Sequence, residues 1–95
     1  MTEKMEHERS ERGGAFVWMD DGKRLAQMTY TATAEQVTLD RTQVDQALRG
    51  KGAGRRLVQA AVDWARAEHK HLLPLCPFAR SVFDKTPEYA DVLAK

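Results

Sequence analysis

The chain has 95 residues, of which 42% are hydrophobic and 31% charged, and its formal net charge is +1. That length gives one domain with a small core and excludes a second, and the composition is that of a folded soluble chain rather than a disordered one. A charge so close to zero argues against a general attraction to nucleic acid. No apolar run approaches the roughly 20 residues that a membrane-spanning helix needs. The charged first dozen residues lack the apolar centre of a signal peptide, so a cytoplasmic location is expected. The single cysteine, Cys76, excludes an internal disulfide.

In chain order, residues 1–4 are expected to be disordered, and Met5 to Arg9 reads as a short edge strand. Gly14 to Met19 is aromatic and β-branched and predicts a strand. Asp20, Asp21 and Gly22 then supply hairpin turn chemistry. Leu25 to Thr33 alternates with Thr and Tyr and predicts the next strand, and Ala34 and Glu35 turn the chain into Gln36 to Val44. Alternation there sets Val37, Leu39, Arg41 and Gln43 on one side and Thr38, Asp40, Thr42 and Val44 on the other. These strands make an antiparallel meander.

The period changes at Gly52. From there to His69, Leu57, Val58, Ala61, Trp64 and Ala65 recur at three- and four-residue steps, which predicts an amphipathic helix. Leu72 to Cys76 predicts a parallel strand reached by that crossover, and Pro74 puts it at an edge or splayed from its neighbour. Phe78 to Asp84 and Pro87 to Leu93 predict short helices, each opened by a proline. The fold class is α+β: a mixed sheet, a crossover helix, a splayed strand and short C-terminal helices in a single domain, residues 1–95.

Between the meander and the long helix lies Arg49-Gly50-Lys51-Gly52-Ala53-Gly54. Alternate glycines let backbone N–H groups come close to a ligand, and a helix start offers unpaired donors and the positive end of its dipole. Arg49, Lys51, Arg55 and Arg56 add positive charge. Together these suit a phosphate; a flexible turn with a helix cap and solvated bases is the alternative on spacing alone. The run is neither the G-x-G-x-x-G of dinucleotide folds nor a P-loop.

The run resembles the R/Q-x-x-G-x-G/A motif of the GCN5-related N-acetyltransferases (GNAT), with Arg49, Gly52 and Gly54 at the motif positions. The resemblance extends through Thr42, Val44, Asp45 and Leu48 before the loop and Leu57 and Val58 after it. It continues through Pro74-Leu75-Cys76-Pro77-Phe78-Ala79, Phe83-Asp84-Lys85 and Glu88-Tyr89, and the set looks like the minimal YjdJ-type subfamily. It implies a GNAT-like sheet splayed into a V that admits acetyl-CoA as acyl donor. Backbone groups near Val44 and Asp45 would pair with the pantetheine arm. Amides from Gly50, Lys51, Gly52, Ala53, Gly54 and Arg55 would take the pyrophosphate. The helices that larger relatives use to build an acceptor pocket are missing, so that pocket is shallow or completed by another protein or subunit.

Acetyl transfer to an amine needs a polarised carbonyl, a deprotonated amine and a proton for the leaving thiolate. Phe83 stands where larger relatives carry a proton-donating tyrosine. Cys76, expected to end the splayed strand, is the substitute: it could take the acetyl group, donate a proton, or line the acyl pocket, with a buried structural cysteine as the alternative. Asp45 is a candidate base or a turn anchor, and Tyr89 a candidate hydroxyl donor or a packing residue. Phe78 is a candidate wall of the acyl site, and Trp18 and Trp64 are expected in the core. His7 is expected to be exposed. His69 and His71 lack a third ligand, so no metal is expected. The leading function is N-acetylation of an unidentified primary amine by a monomer or weak homodimer, and the alternative is an acyl-CoA-binding module with little turnover. A nucleic-acid site at Arg49 to Arg56 is disfavoured because no aromatic platform accompanies the bases.

Overall fold

The structure, a computed structural model, describes residues 3–33, 36–48 and 52–94. The elements run β1 (Glu3–Arg9), β2 (Gly13–Asp20), β3 (Lys23–Ala32), β4 (Gln36–Val44), a 3-10 turn at Gln46–Leu48, α1 (Ala53–Glu68), β5 (His71–Pro74), α2 (Pro77–Lys85) and a 3-10 helix at Pro87–Val92. One five-stranded sheet carries them in the order β1-β2-β3-β4-β5. The first four strands are antiparallel neighbours, and β5 joins β4 in parallel through the α1 crossover. The antiparallel meander, crossover helix and parallel strand thus stand as the sequence predicts.

Local chemistry accounts for the connections. Asp21 and Gly22 both take positive φ, 51° and 77°, between the paired Asp20 and Lys23. That is the twist a two-residue hairpin requires, and glycine takes it without strain. Gly52 (φ 76°) precedes α1 and His69 (φ 57°) follows it, so both residues cap the helix rather than belong to it. The His69 N–H closes back onto the Ala65 carbonyl, as a left-handed C-terminal cap does. The expected turn at Ala34 and Glu35 lies outside the described residues.

Helix α1 lies across one face of the sheet. Leu57, Val58, Ala61, Val62 and Ala65 are fully buried there and share one core with Phe16, Met28, Tyr30, Val37, Leu39 and Leu72. Full burial of such a leucine or valine stabilises by about 1.5–3 kcal/mol. The opposite face carries polar side chains, and Arg24 bonds both Glu8 and Gln27 across it.

Several expectations need correction. Strand β1 begins at Glu3 rather than Met5, and Glu3 and Lys4 pair with Asp20 and Met19. Strand β5 ends at Pro74, and Cys76 lies beyond it as the N-cap of α2. The last helix is 3-10, and after it the Ala94 N–H bonds the Leu72 carbonyl, covering the outer edge of β5. The two faces of β4 were also misassigned. Tyr30 pairs with Leu39 but Thr29 with Arg41, so Asp40 is an extra residue in the ladder. A bulge inverts the alternation beyond it. Thr42 and Val44 therefore join Val37 and Leu39 on the inner face, while Arg41 and Gln43 are exposed.

Candidate functional site

Strands β4 and β5 pair only from Gln36↔His71 to Leu39↔Pro74. The parallel ladder ends where the N–H groups of Leu75 and Cys76 both donate to the Leu39 carbonyl, at 3.2 and 2.9 Å. A proline at the end of the run cannot extend it, and Pro77 then opens α2. Beyond Leu39, β4 continues with β3 alone on one side, which leaves a gap where β5 has turned away. Asp45 N–H donates to the Leu25 carbonyl of β3. Alternation in an antiparallel ladder therefore turns the N–H and C=O of Thr42 and Val44 toward the gap. Of the expected pair, Val44 is placed to meet a ligand; Asp45 points its backbone the other way and lines a separate groove with Arg24, Gln27 and Gln43.

The gap opens into a cleft of about 310 Å³ lined by Val44, Leu48, Gly52, Ala53, Gly54, Arg55 and Phe78. At its floor is the start of α1. Arg56 N–H makes the bond to the Gly52 carbonyl at 3.1 Å, and among the described residues no side chain caps the helix, whose first turn carries no acidic group. The preceding amides, those of Ala53, Gly54 and Arg55, carry the positive end of the dipole into the cleft. Gly54 has a second reason to be glycine: a Cβ there would collide with the Phe78 ring. Phe78 is 41% exposed, an apolar wall across from Val44. Arg55 also lines the cleft, and its guanidinium donates to Thr86 Oγ1 at 3.4 Å.

Cys76 joins two of the cleft's walls. Its thiol donates to Thr42 Oγ1 at 3.2 Å, two residues before Val44, and its backbone opens the helix that carries Phe78. The thiol is 5% exposed. Burial pushes it up, but hydrogen bonds from the Thr42 hydroxyl and from the amides of Ala79, Phe78 and Thr42 outweigh burial and hold it below its ordinary 9.0.

Other expected residues fall elsewhere. Arg49, Gly50 and Lys51 lie outside the described residues. Arg56 sits over the Trp18 ring, 5.1 Å from its centroid, instead of in the cleft. Phe83 is buried against Tyr89, whose hydroxyl donates to Gln59 Oε1, so neither reaches the cleft. Among the described residues no group of three metal-ligating side chains comes together. His7, expected to be exposed, is half-buried: it stacks on Phe16 at 4.1 Å, meets Trp64 edge-on and shares a 2.6 Å hydrogen bond with the Tyr30 hydroxyl. Leu48 and Thr42 were missed as site residues. Leu48 ends the unpredicted 3-10 turn, and Thr42 reaches the site only because of the bulge at Asp40.

This arrangement matches known proteins. Residues 15–92 match the family model of the GCN5-related N-acetyl-transferases. In fold, the chain is similar to a ribosomal-protein-alanine N-acetyltransferase from Brucella melitensis biovar Abortus 2308, with a TM-score of 0.70 at 18% identity. That match covers 90% of this chain but only 64% of the other, so the chain spans less than two thirds of that enzyme's length. It is also similar to a GCN5-like protein from Staphylococcus aureus, with a TM-score of 0.68 at 28% identity over 94% of this chain and 87% of that one. An aminoglycoside N-acetyltransferase solved in complex with CoA shares the fold, with a TM-score of 0.59 at 16% identity over 80% of this chain and 67% of that one. Among curated proteins none matches the chain. With the family model spanning most of its length, the chain belongs to the GCN5-related N-acetyltransferase family.

Proposed function

We propose that the cleft binds acetyl-CoA and that the protein transfers the acetyl group to a primary amine. One observation carries this: a helix start that no described side chain caps and an apolar wall meet in the gap where β4 and β5 part. The α1 amides suit a pyrophosphate, the turned-out Val44 backbone suits the amides of a pantetheine arm, and Phe78 suits the apolar length between them. The thioester would then lie toward Cys76, whose thiol can accept the acetyl group, return a proton to the leaving sulfur, or line the pocket.

Titrating the protein with acetyl-CoA while following backbone amide resonances tests the binding half. Shifts at Val44, Gly52, Ala53, Gly54 and Phe78, saturating with one equivalent, are expected; shifts confined to other surfaces would defeat it. Amine-dependent release of free CoA tests the transfer half. A second reading, acyl-CoA binding with little turnover, is favoured by one feature. Phe83 has no hydroxyl and Tyr89 is buried away from the cleft with its hydroxyl on Gln59, so neither protonates the leaving thiolate. Binding without CoA release across a broad amine panel would select it.

A further inference from the structure

We infer that Thr42 is a positioning residue for Cys76: its hydroxyl fixes the sulfur at the gap between β4 and β5 and supports the thiolate there. The inference rests on the reading of that gap as the thioester site. Its ground is geometric. The extra residue Asp40 reverses the alternation of β4 and brings Thr42 onto the inner face. Without it, Thr42 would share the outer face with Thr38. Cys76 is then tied to β4 at two points that straddle the bulge, its N–H to the Leu39 carbonyl at 2.9 Å and its thiol to Thr42 Oγ1 at 3.2 Å. The bulge thus has a chemical consequence: it brings a hydroxyl to the sulfur.

A hydroxyl suits that place because it serves both states of the sulfur. It accepts from the thiol S–H, and by rotating it donates its own O–H to a thiolate. A valine of the same shape does neither. The amides of Phe78 and Ala79 at the start of α2 assist from the other side. The charged side chains on the packed elements are Asp40 and Arg41 on β4, Arg55, Arg56, Asp63, Arg66 and Glu68 on α1, and Arg80, Asp84 and Lys85 on α2. All are solvent-exposed, which leaves the hydroxyl and the amides as the groups that support the thiolate.

The test is a pH titration of the full chain labelled with ¹³C at the cysteine Cβ, which reports one resonance because the chain has one cysteine. Thr42→Val and Thr42→Ala should each raise the thiol midpoint by about one pH unit, the size expected of one hydrogen bond to a charged group. Thr42→Ser should restore most of the shift. An unchanged midpoint in both the valine and alanine variants, or a serine variant shifted as far as valine, would overturn the inference. A dispersed amide spectrum at neutral pH checks that each variant is folded, and alanine stands in if valine overpacks. Repeating the titration with acetyl-CoA separates the two ideas: a Thr42-dependent midpoint that the ligand leaves untouched keeps the positioning role while sinking the cleft as the thioester site.

Discussion

The two ends of α1 are built for different purposes. At its C-terminal end polar and charged side chains pair with one another and with the rings beneath them. Trp64 Nε1 and Arg9 both donate to Glu68, Arg66 pairs with Asp91, and Trp64 packs against Tyr30 and His7 beneath Arg9 and Lys70. At the N-terminal end a left-handed glycine, a first turn that no described side chain caps and a second glycine are set against an exposed ring. Satisfied polar groups and close-packed rings stabilise a small domain, whereas available donors bind. Stability and binding are therefore separable along a single helix, and substitutions can be chosen to hurt one without the other.

The largest effect is expected at the closed end. Phe16 is 2% exposed and contacts His7, Tyr30 and Trp64. Phe16→Ala should cost about 3–5 kcal/mol in chemical denaturation, much of the total for a domain this small. The folded fraction should still bind acetyl-CoA with nearly unchanged Kd. A weaker Kd as large as the stability loss would show that the two ends are not separable.

The converse variant is Gly54→Val. Its side chain enters the space of the Phe78 ring and crowds the helix start. Calorimetry should show acetyl-CoA affinity reduced about tenfold or more, equivalent to about 1.4 kcal/mol, with a stability loss well below that of Phe16→Ala. Undiminished affinity would remove the α1 start from the site.

On the acid side a pH dependence should appear at the closed end. Burial, and then the adjacent Arg9 cation, hold the His7 imidazole below its ordinary 6.5, against a smaller opposing pull from Glu68. The folded chain therefore binds that proton less readily than the unfolded chain. The His7 contribution is full above about pH 6.5 and is lost as pH falls below it toward the folded value. Tm measured through that window should fall with acidification, and His7→Phe should flatten this part of the slope while leaving acetyl-CoA affinity unchanged. An identical slope in the variant would place the titration elsewhere.

What the sequence disclosed, and what it hid, follows the same physical divide. Local signals carried far: Asp21-Gly22 specified its hairpin, the 3.6 period of α1 specified its buried face, and Pro77 marked where a helix begins. The glycine loop pointed to the helix start, although Arg49, Gly50 and Lys51 fall outside the described residues. Features set by pairing between distant strands were illegible. The bulge at Asp40 exists only relative to Thr29 and Tyr30 of β3, so strict alternation put Thr42 and Val44 on the wrong face. His7 reads as a lone polar residue because Phe16, Tyr30 and Trp64 come from three other elements. Gly54 was attributed to phosphate approach, yet its contact with Phe78 needs the tertiary structure to be seen.

The smallest effect tests whether the engaged groups at the closed end contribute individually. Arg66 bonds both carboxylate oxygens of Asp91 at 3.0 Å and the Glu88 carbonyl at 2.8 Å, tying α1 to the closing 3-10 helix. Both side chains are exposed, and the pair holds Asp91 below its ordinary carboxylate value. Exposed ion pairs are screened by salt and offset by the entropy of fixing two long side chains. Arg66→Gln should therefore lower Tm only slightly at low ionic strength, and the difference should vanish in high salt. A large loss that persists in salt would mean that the bond to the Glu88 carbonyl, rather than the charge pair, fastens the closing segment. The closed end would then depend on one hydrogen bond instead of many weak contacts.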